Sequence, residues 1–263
     1  MSVFVQNSIQ SASPYAGQPV ENWLDITRNL LASHPLSVEQ IVDAVHVAWN
    51  GVWSTQIGSG AARLWLYEVD PPATVIGYFF EKLLGKELAT RYPNEWAGGS
   101  SGDHKDLHYI NDKRFSIEVK TSGQLGLKIF GNRSYGQEVE NSDRAKKDKS
   151  GYFITLNFHA RQINMIRFGW IDGSDWVAQK SATGQMAGLP PEVYQYKLFA
   201  IGGDYTLNAP VQLLSGIGPG IAVQCTALGI NTIRDALNNP HLLTGNLAKV
   251  HLAAVTYKIN WAS

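Results

Sequence analysis

Residues 115–120 alternate between apolar and polar side chains, and this alternation limits the fold more than any other feature of the chain. The apolar members share one face of an extended segment, and the polar members, Ser116, Glu118 and Lys120, share the other. The pattern predicts a half-buried β-strand that requires a hydrophobic core on one side. Its opposite face sets a carboxylate and an ammonium one residue apart and pointing the same way.

A second carboxylate precedes this strand. Asp106 lies just before a short apolar run, residues 107–110, and polar residues 111–113 then predict a turn. The two segments are typical of a β-hairpin. If they pair, Asp106 is carried to the same end of the sheet as Glu118 and Lys120.

Two carboxylates that meet at one point suit a small divalent cation. Mg²⁺ in particular is held by one or two carboxylates together with water and substrate phosphate. A neighbouring lysine can orient or help to deprotonate an attacking water. The pattern therefore favours metal-assisted hydrolysis of phosphodiesters, and the alternative is an amphipathic strand with a solvated charged face.

Asp106 followed by Glu118-Val119-Lys120 resembles the motif of the PD-(D/E)xK nuclease superfamily. The resemblance implies a mixed β-sheet flanked by helices, metal binding by Asp106 and Glu118, and a catalytic role for Lys120. It also implies a glutamate on the helix before the first catalytic strand, a place that Glu81 matches. The family's proline before the first acid is absent, and Asp103 is an alternative first metal ligand.

Composition fits a globular protein of one large domain, or a medium one with an appendage. The chain has 263 residues, 44% of them hydrophobic, and a single cysteine, Cys225, so an internal disulfide is excluded. No signal peptide or membrane-length apolar run is present in the sequence, which predicts a cytoplasmic protein with no membrane partner. The net charge is zero, yet residues 1–104 hold 5 Lys/Arg against 10 Asp/Glu and the remainder holds 17 against 12. The basic remainder can present a cationic surface to a nucleic acid.

The order of predicted elements is that of an α/β protein. Apolar spacing predicts helices over residues 20–31, from Ser37 onward and over 74–92, and strands over 151–159 and 163–171. With the hairpin these strands make a sheet of at least four. We expect an N-terminal helical segment over residues 1–60, a nuclease core over 61–204 and a small helical domain over 205–263, with Gly202-Gly203-Asp204 as the linker.

Polar side chains that can contact base edges follow the catalytic strand. Asn, Arg and Gln can make bidentate contacts with adenine or guanine, which suits DNA contact, and the equal alternative is a plain surface loop. The candidate DNA-binding residues are Asn132, Arg133, Ser134, Tyr135 and Gln137, with Gln185 further along the chain.

Residues 213–237 carry the second motif. Gly216-Ile217-Gly218-Pro219, a later Gly229-Ile230 and a Thr-Ile helix start resemble a helix-hairpin-helix module. Glycines permit the tight turn, and the backbone amides at the next helix start, around Gly216, Gly218 and Gly220, are free to hold a phosphate. The alternative is a structural or protein-binding hairpin.

Both motifs point to phosphodiesters. Together they resemble a type II restriction endonuclease, which implies Mg²⁺ as cofactor, double-stranded DNA as substrate and a homodimer as the working form. A repair or structure-specific nuclease is the alternative among enzymes, and a non-catalytic DNA-binding protein is the alternative of another class.

Overall fold

A computed structural model describes residues 13–99, 104–132, 149–178 and 186–262 of the chain. The α-helices of this part are α1 (Trp23–Ala32), α2 (Val38–Trp53), α3 (Leu66–Val69), α4 (Ala73–Arg91), α5 (Pro219–Ala227), α6 (Ile233–Asn238) and α7 (Ala248–Trp261). Its strands are β1 (Gln56–Ile57), β2 (Leu64–Trp65), β3 (Trp96–Gly98), β4 (Leu107–Tyr109), β5 (Ile117–Ser122), β6 (Phe130–Asn132), β7 (Gly151–His159), β8 (Gln162–Ile171), β9 (Val177–Ala178), β10 (Met186–Gly188) and β11 (Leu198–Ile201).

Helix α2 begins where the sequence predicts it. The Ser37 hydroxyl accepts from the Gln40 N–H at 3.3 Å, and the Gln40 side chain accepts from the Ser37 N–H at 2.8 Å, which forms a capping box. The buried face of α2 contains the predicted apolar residues, Ile41, Val45, Ala48, Trp49 and Val52. The helix therefore packs its apolar stripe into the main core.

Helix α4 is continuous through its two glycines. A Cβ at Gly77 would lie 2.3 Å from the Thr121 hydroxyl, and one at Gly85 would lie 3.3 Å from the Gly98 Cα. Each glycine therefore faces the sheet at a point of close approach, where any other side chain would push the helix away. The two residues bring α4 directly against β5 and β3.

Six strands form the main sheet in the order β11-β8-β7-β5-β4-β3. Strands β5 and β7 run parallel in register from Ile117↔Tyr152 to Ser122↔Asn157, and all the other neighbours are antiparallel. The sequence predicts at least four strands, and the sheet has six. The predicted α/β class with a mixed sheet and packed helices is confirmed.

The two faces of this sheet are covered differently. Helices α1, α2 and α4 contribute to the core on one face, which also receives Ile117 and Val119 from β5. On the other face a smaller core forms around Phe153 and Trp176, beside a three-stranded sheet of order β6-β10-β9. The prediction of a half-buried β5 is therefore wrong, because both of its faces are covered and Glu118 is only 7% exposed.

Residues 193–201 combine a helix and a strand. A π-helix spans Val193–Lys197 and leads at once into β11. Lys197 is buried and donates to Asp172 at 2.8 Å and to Asp175 at 2.9 Å. This ion-paired lysine is the last residue of the π-helix, and β11 begins at the next residue.

The C-terminal unit, residues 203–262, has its own hydrophobic core of side chains from Leu207 to Ala254. Two residues of the predicted linker, Gly202 and Gly203, lie against the C-terminal end of α7. The Gly203 N–H donates to the Trp261 carbonyl at 2.5 Å, and a Cβ at Gly202 would collide with that same carbonyl. The unit ends with helix α7.

Among the helices of the described ranges, none has the length and apolar character that crossing a bilayer requires.

Candidate active site

The catalytic residues predicted from the sequence meet where two strands separate. Strands β4 and β5 pair only through Leu107 and Ile117, so the edge of β5 beyond Ile117 has no partner from β4. Asp106, immediately before β4, fills the gap by accepting from the Val119 N–H through Oδ2 at 2.8 Å. The carboxylate thus takes the place of a neighbouring strand and is fixed beside β5.

Glu118 and Lys120 project from the same face of β5. The Lys120 Nζ donates to Glu118 Oε1 at 2.7 Å and to the Val119 carbonyl at 3.2 Å. The side chains of Lys120 and Glu118 are only 18% and 9% exposed. We call Asp106, Glu118 and Lys120 the acid–lysine cluster.

Two carboxylates in this partly desolvated place oppose one another's ionisation. Burial raises the pKa of Asp106 to about 6, and the negative charge of Glu118 contributes further. Lys120 and the Val119 N–H act in the opposite direction without cancelling the rise. Such a pair of acids is stabilised by an added positive charge, as a divalent cation provides.

Glu81 lies on α4 close enough for its charge to raise the pKa of Asp106 further. Its carboxylate accepts from the Lys82 ammonium at 2.6 Å. Within the part of the chain that is described, no three His, Cys, Asp or Glu side chains gather closely enough to hold a metal ion. The structure therefore brings Glu81 near the cluster without placing it with Asp106 and Glu118 as a third ligand.

Two further basic residues flank Asp106, and no sequence pattern marked them. Lys105 stands where related motifs have proline, and its ammonium donates to the Ser150 carbonyl at 2.8 Å. Its Nζ and Cε would lie 2.6 and 2.9 Å from a Cβ at Gly151, so this glycine leaves the space that the lysine occupies. Lys105 thereby ties the approach to β4 to the start of β7. Lys82 is close enough to Asp106 for the charge of that carboxylate to raise the lysine pKa, although Glu81 has the larger effect.

The alternative first acid, Asp103, lies outside the described residues. So do four of the five loop candidates for DNA contact, Arg133, Ser134, Tyr135 and Gln137, and also Gln185. The fifth, Asn132, ends β6, which pairs with β10 in the three-stranded sheet. The loop contacts stay predictions.

The glycines of the second motif are at the surface of the C-terminal unit. Gly216 has a φ of +77°, and Gly218 is the N-cap of α5, with Pro219 in the first turn. A Cβ at Gly216, Gly218 or Gly220 would meet no atom within 4 Å. The backbone is therefore open to a close-fitting ligand at all three glycines, and Ile217 between them is buried in the unit's core.

Comparisons with known proteins identify the family of the chain. The family model described as ScaI restriction endonuclease matches residues 13–202, a range that contains Glu81 and the whole acid–lysine cluster. Type II restriction enzyme ScaI of Streptomyces caespitosus is 41% identical over 199 residues, which make up 73% of this chain and 85% of that enzyme. The chain belongs to the ScaI restriction endonuclease family.

Proposed function

We propose that this protein is a type II restriction endonuclease that hydrolyses double-stranded DNA at a specific site and requires Mg²⁺. The observation that carries the proposal is the acid–lysine cluster. Asp106 accepts a hydrogen bond from the backbone of β5, and Lys120 and Glu118 on β5 are hydrogen-bonded to one another. Family membership supports the same reaction. The order of the three residues along the chain supports assignment to the PD-(D/E)xK superfamily.

The donor set suits Mg²⁺. Asp106 and Glu118 offer hard oxygen ligands, and mutual repulsion makes their ionised pair receptive to a cation. Mg²⁺ commonly takes one or two protein carboxylates and completes its shell with water and phosphate. When bound there, the ion would stabilise the charge that develops on the phosphate during hydrolysis.

The remaining roles fall to side chains of this protein. Lys120 would hold the attacking water in line with the scissile phosphate and ease its deprotonation. Glu81 pairs with Lys82, so it would not bind the cation directly. It would instead add negative charge near the cation. The fixed backbone of β5 would keep the lysine and the acids in constant relation during the reaction.

We further propose that residues 213–237 act as a helix-hairpin-helix module that holds the DNA backbone. The open glycines and the exposed start of α5 support it, because unobstructed amides at a helix start favour a phosphate. Thr232 caps α6 through a capping box with Asp235, which fixes the second half of the hairpin. This contact would position the duplex without reading its sequence.

The Gly220→Val variant tests the module. Its side chain would enter open space and block a phosphate, so we expect weaker DNA binding and a salt slope reduced by about one contact. Thr226→Val, at the exposed far end of α5, is the control that should leave both unchanged. Equal binding by both variants would contradict the module.

A homodimer is the proposed working form. Cleavage of both strands of a palindromic site calls for two active sites related by a two-fold axis. Sedimentation with a cognate duplex should therefore show protein mass equal to twice the 28.9 kDa of one chain. A single chain per duplex under conditions of full cleavage would exclude the dimer.

The decisive experiment is digestion of a large, fully sequenced DNA with and without Mg²⁺. Wild type should give discrete bands that require Mg²⁺, and Lys120→Ala should give none. Lys113→Ala removes an exposed lysine from the same hairpin and should cleave as wild type does. A smear would favour a repair or nonspecific nuclease, and intact DNA in every lane would favour a non-catalytic DNA-binding protein.

A further inference from the structure

A row of polar residues crosses the sheet at Lys120. The parallel register of β5 and β7 pairs Lys120 with Thr155, and the antiparallel register of β7 and β8 pairs Thr155 with Arg167. Paired residues of neighbouring strands lie about 4.8 Å apart with their side chains on one face. Thr155 is therefore the nearest cross-strand neighbour of Lys120 on the face that carries Glu118.

The Thr155 side chain is fully buried, and its hydroxyl has no hydrogen-bond partner in the described structure. Buried hydroxyls are nearly always paired, since leaving one unpaired sacrifices its hydration for nothing. The neighbouring face positions of β7, Phe153 and Asn157, are satisfied by apolar packing and by a 2.9 Å bond to the Lys128 carbonyl. Of these three positions on β7, Thr155 alone has an unpaired polar atom, so its hydroxyl is available to a partner in another state of the site.

Both flanking side chains in the row are cations. Lys120 stands on one side, and on the other the buried Arg167 guanidinium donates to Asn157 Oδ1 at 2.8 Å. Two positive charges favour the orientation in which the hydroxyl presents its oxygen lone pairs to them. The chemistry at this position is that of an acceptor for an ammonium.

We propose that Thr155 is a positioning residue for Lys120: its hydroxyl accepts a hydrogen bond from the Lys120 ammonium when Glu118 turns to the cation. The proposal rests on the proposed function, because it takes Lys120 as the residue that holds the attacking water. In the structure the ammonium donates to Glu118 Oε1 at 2.7 Å. A carboxylate that shares its charge with a divalent cation attracts the lysine less, and Thr155 supplies the replacement contact one strand away.

Three variants separate chemistry from packing. Thr155→Val keeps the shape of the side chain and removes the hydroxyl, whereas Thr155→Ser keeps the hydroxyl and removes a methyl group. The matched control is Thr27→Val on α1, since the Thr27 hydroxyl is equally buried but bonds to Tyr15 Oη at 2.8 Å and to the Tyr196 carbonyl at 2.6 Å. Single-turnover cleavage at saturating Mg²⁺ and urea unfolding of the metal-free proteins are measured for each.

We expect the stability and the cleavage rate to rank Thr155→Val and Thr155→Ser in opposite orders. Thr155→Val should unfold at the same or a higher urea concentration than wild type, because it removes an unpaired polar group, and yet cleave at least ten-fold more slowly. Thr155→Ser should be less stable, because it leaves a small cavity, and cleave within about three-fold of wild type. Thr27→Val should lose stability and retain its cleavage rate per folded molecule.

Wild-type cleavage by Thr155→Val would overturn the proposal. So would a rate that follows stability, with Thr155→Ser slower than Thr155→Val or with Thr27→Val as slow as either. Lys120→Ala in the same assay distinguishes a failure of the proposed role of Lys120 from a failure of the proposed role of Thr155. If it cleaves normally, the proposed role of Lys120 fails, whereas an inactive Lys120→Ala beside a fully active Thr155→Val refutes only the role of Thr155.

Discussion

At the scale of single residues, the acid–lysine cluster, which we propose binds a cation, lowers the stability of the metal-free protein. Asp106 lies half-buried beside another carboxylate, and desolvation together with that second negative charge raises its pKa to about 6. An acid whose pKa is raised on folding contributes stability below its unfolded pKa, near 3.9, and loses it as pH rises through the folded value. At the pH where DNA is cut, the ionised Asp106 therefore lowers the stability of the metal-free protein by the full amount.

Asp106→Asn should consequently stabilise the metal-free protein while slowing cleavage strongly. The amide oxygen can still accept from the Val119 N–H, but the charge is gone, so we expect a gain of roughly 1–3 kcal/mol in unfolding free energy at pH 7.5 and almost none at pH 4. Because Asp106 is a proposed metal ligand, its loss should slow cleavage roughly 10³-fold. Urea unfolding at the two pH values and a cleavage time course provide the measurements.

The control for this variant is Asp112→Asn in the turn of the same hairpin. Asp112 pairs with Arg114 at 2.6 Å, and hydrogen bonds from Arg114 lower its pKa. Its removal should bring no gain in stability at pH 7.5 and no loss of cleavage. A destabilised Asp106→Asn protein would show that the carboxylate supports the fold and would refute the interpretation.

His34 is a buried histidine that ties the connection between α1 and α2 to the entry of β5. Its Nε2 lies 3.1 Å from the Phe115 carbonyl, and its Nδ1 accepts from the Leu36 N–H at 3.1 Å, which fits the neutral ring. Burial lowers its pKa to about 4. The stability that depends on the neutral ring is therefore complete above the unfolded pKa of 6.5 and is lost as pH falls toward 4.

We expect acid to remove roughly 2 kcal/mol of the wild-type stability through His34 between pH 7.5 and pH 5. His34→Gln cannot titrate, so its stability deficit relative to wild type should shrink by this amount over the same interval. Urea unfolding of both proteins at each pH gives the difference, from which the contributions of all other groups cancel. Parallel loss in the two proteins would assign the acid sensitivity elsewhere.

At the scale of elements, the sequence predicts what depends on local periodicity and misses what depends on distant partners. Helix α2 with its capping box, β7, β8 and the β4–β5 hairpin all follow from spacing and turn residues. The covering of β5 on its second face does not, because β6, β9 and β10 have only two or three residues each and show no periodic pattern. That covering is what buries Glu118.

In the candidate active site, too, the residues that are near in sequence could be predicted and those that depend on distant partners could not. Asp106, Glu118 and Lys120 lie within 15 positions of one another, so a hairpin suffices to bring them together. Thr155 and Lys197 become notable only through pairing across the sheet or burial against distant acids. Single-sequence patterns carry no signal for the register of parallel strands, since their connection is long.

Contact between α4 and β5 should depend on Gly77. Gly77→Ala would set a methyl group 2.3 Å from the Thr121 hydroxyl, so the helix must shift and carry Glu81 with it. We expect a loss of roughly 1–3 kcal/mol, even though alanine favours a helix over glycine by about 1 kcal/mol. Urea unfolding and Mg²⁺-dependent cleavage should both report the shift.

The double variant Gly77→Ala/Thr121→Ala isolates the cause. Without the hydroxyl, the nearest remaining atom is the Cβ of residue 121 at 3.5 Å, an ordinary contact. The double variant should therefore be at least as stable as Thr121→Ala alone. A deficit that persists would mean that Gly77 is required for a reason other than close approach to β5.

At the scale of the whole molecule, the described chain consists of the sheet with a core on each face and the C-terminal unit with a core of its own. The family match ends at residue 202, and the C-terminal unit begins with Gly203 hydrogen-bonded to Trp261. Tyr205 then returns to the sheet, where its ring packs 5.2 Å from that of His46 on α2. Its hydroxyl donates to the Ile201 carbonyl and accepts from the Ile166 N–H at 3.1 Å, which closes the end of the β8–β11 ladder.

We expect this junction to couple the stability of the C-terminal unit to that of the sheet, and Tyr205→Phe measures the coupling. The variant keeps the ring against His46 but leaves the Ile166 N–H and the Ile201 carbonyl without their shared partner, at a cost of roughly 1–3 kcal/mol. The loss should reach the C-terminal unit as well as the sheet, because both bonds are made by a residue from one unit to strands of the other. Hydrogen exchange in Tyr205→Phe should accordingly accelerate at amides of α6 and α7 as well as β8 and β11. The control is Tyr257→Phe, which removes a buried hydroxyl that has no partner in the described structure. This control should slow or preserve exchange in both regions. Faster exchange confined to β8 and β11 would show instead that the C-terminal unit is stable by itself and that Tyr205 serves only the sheet.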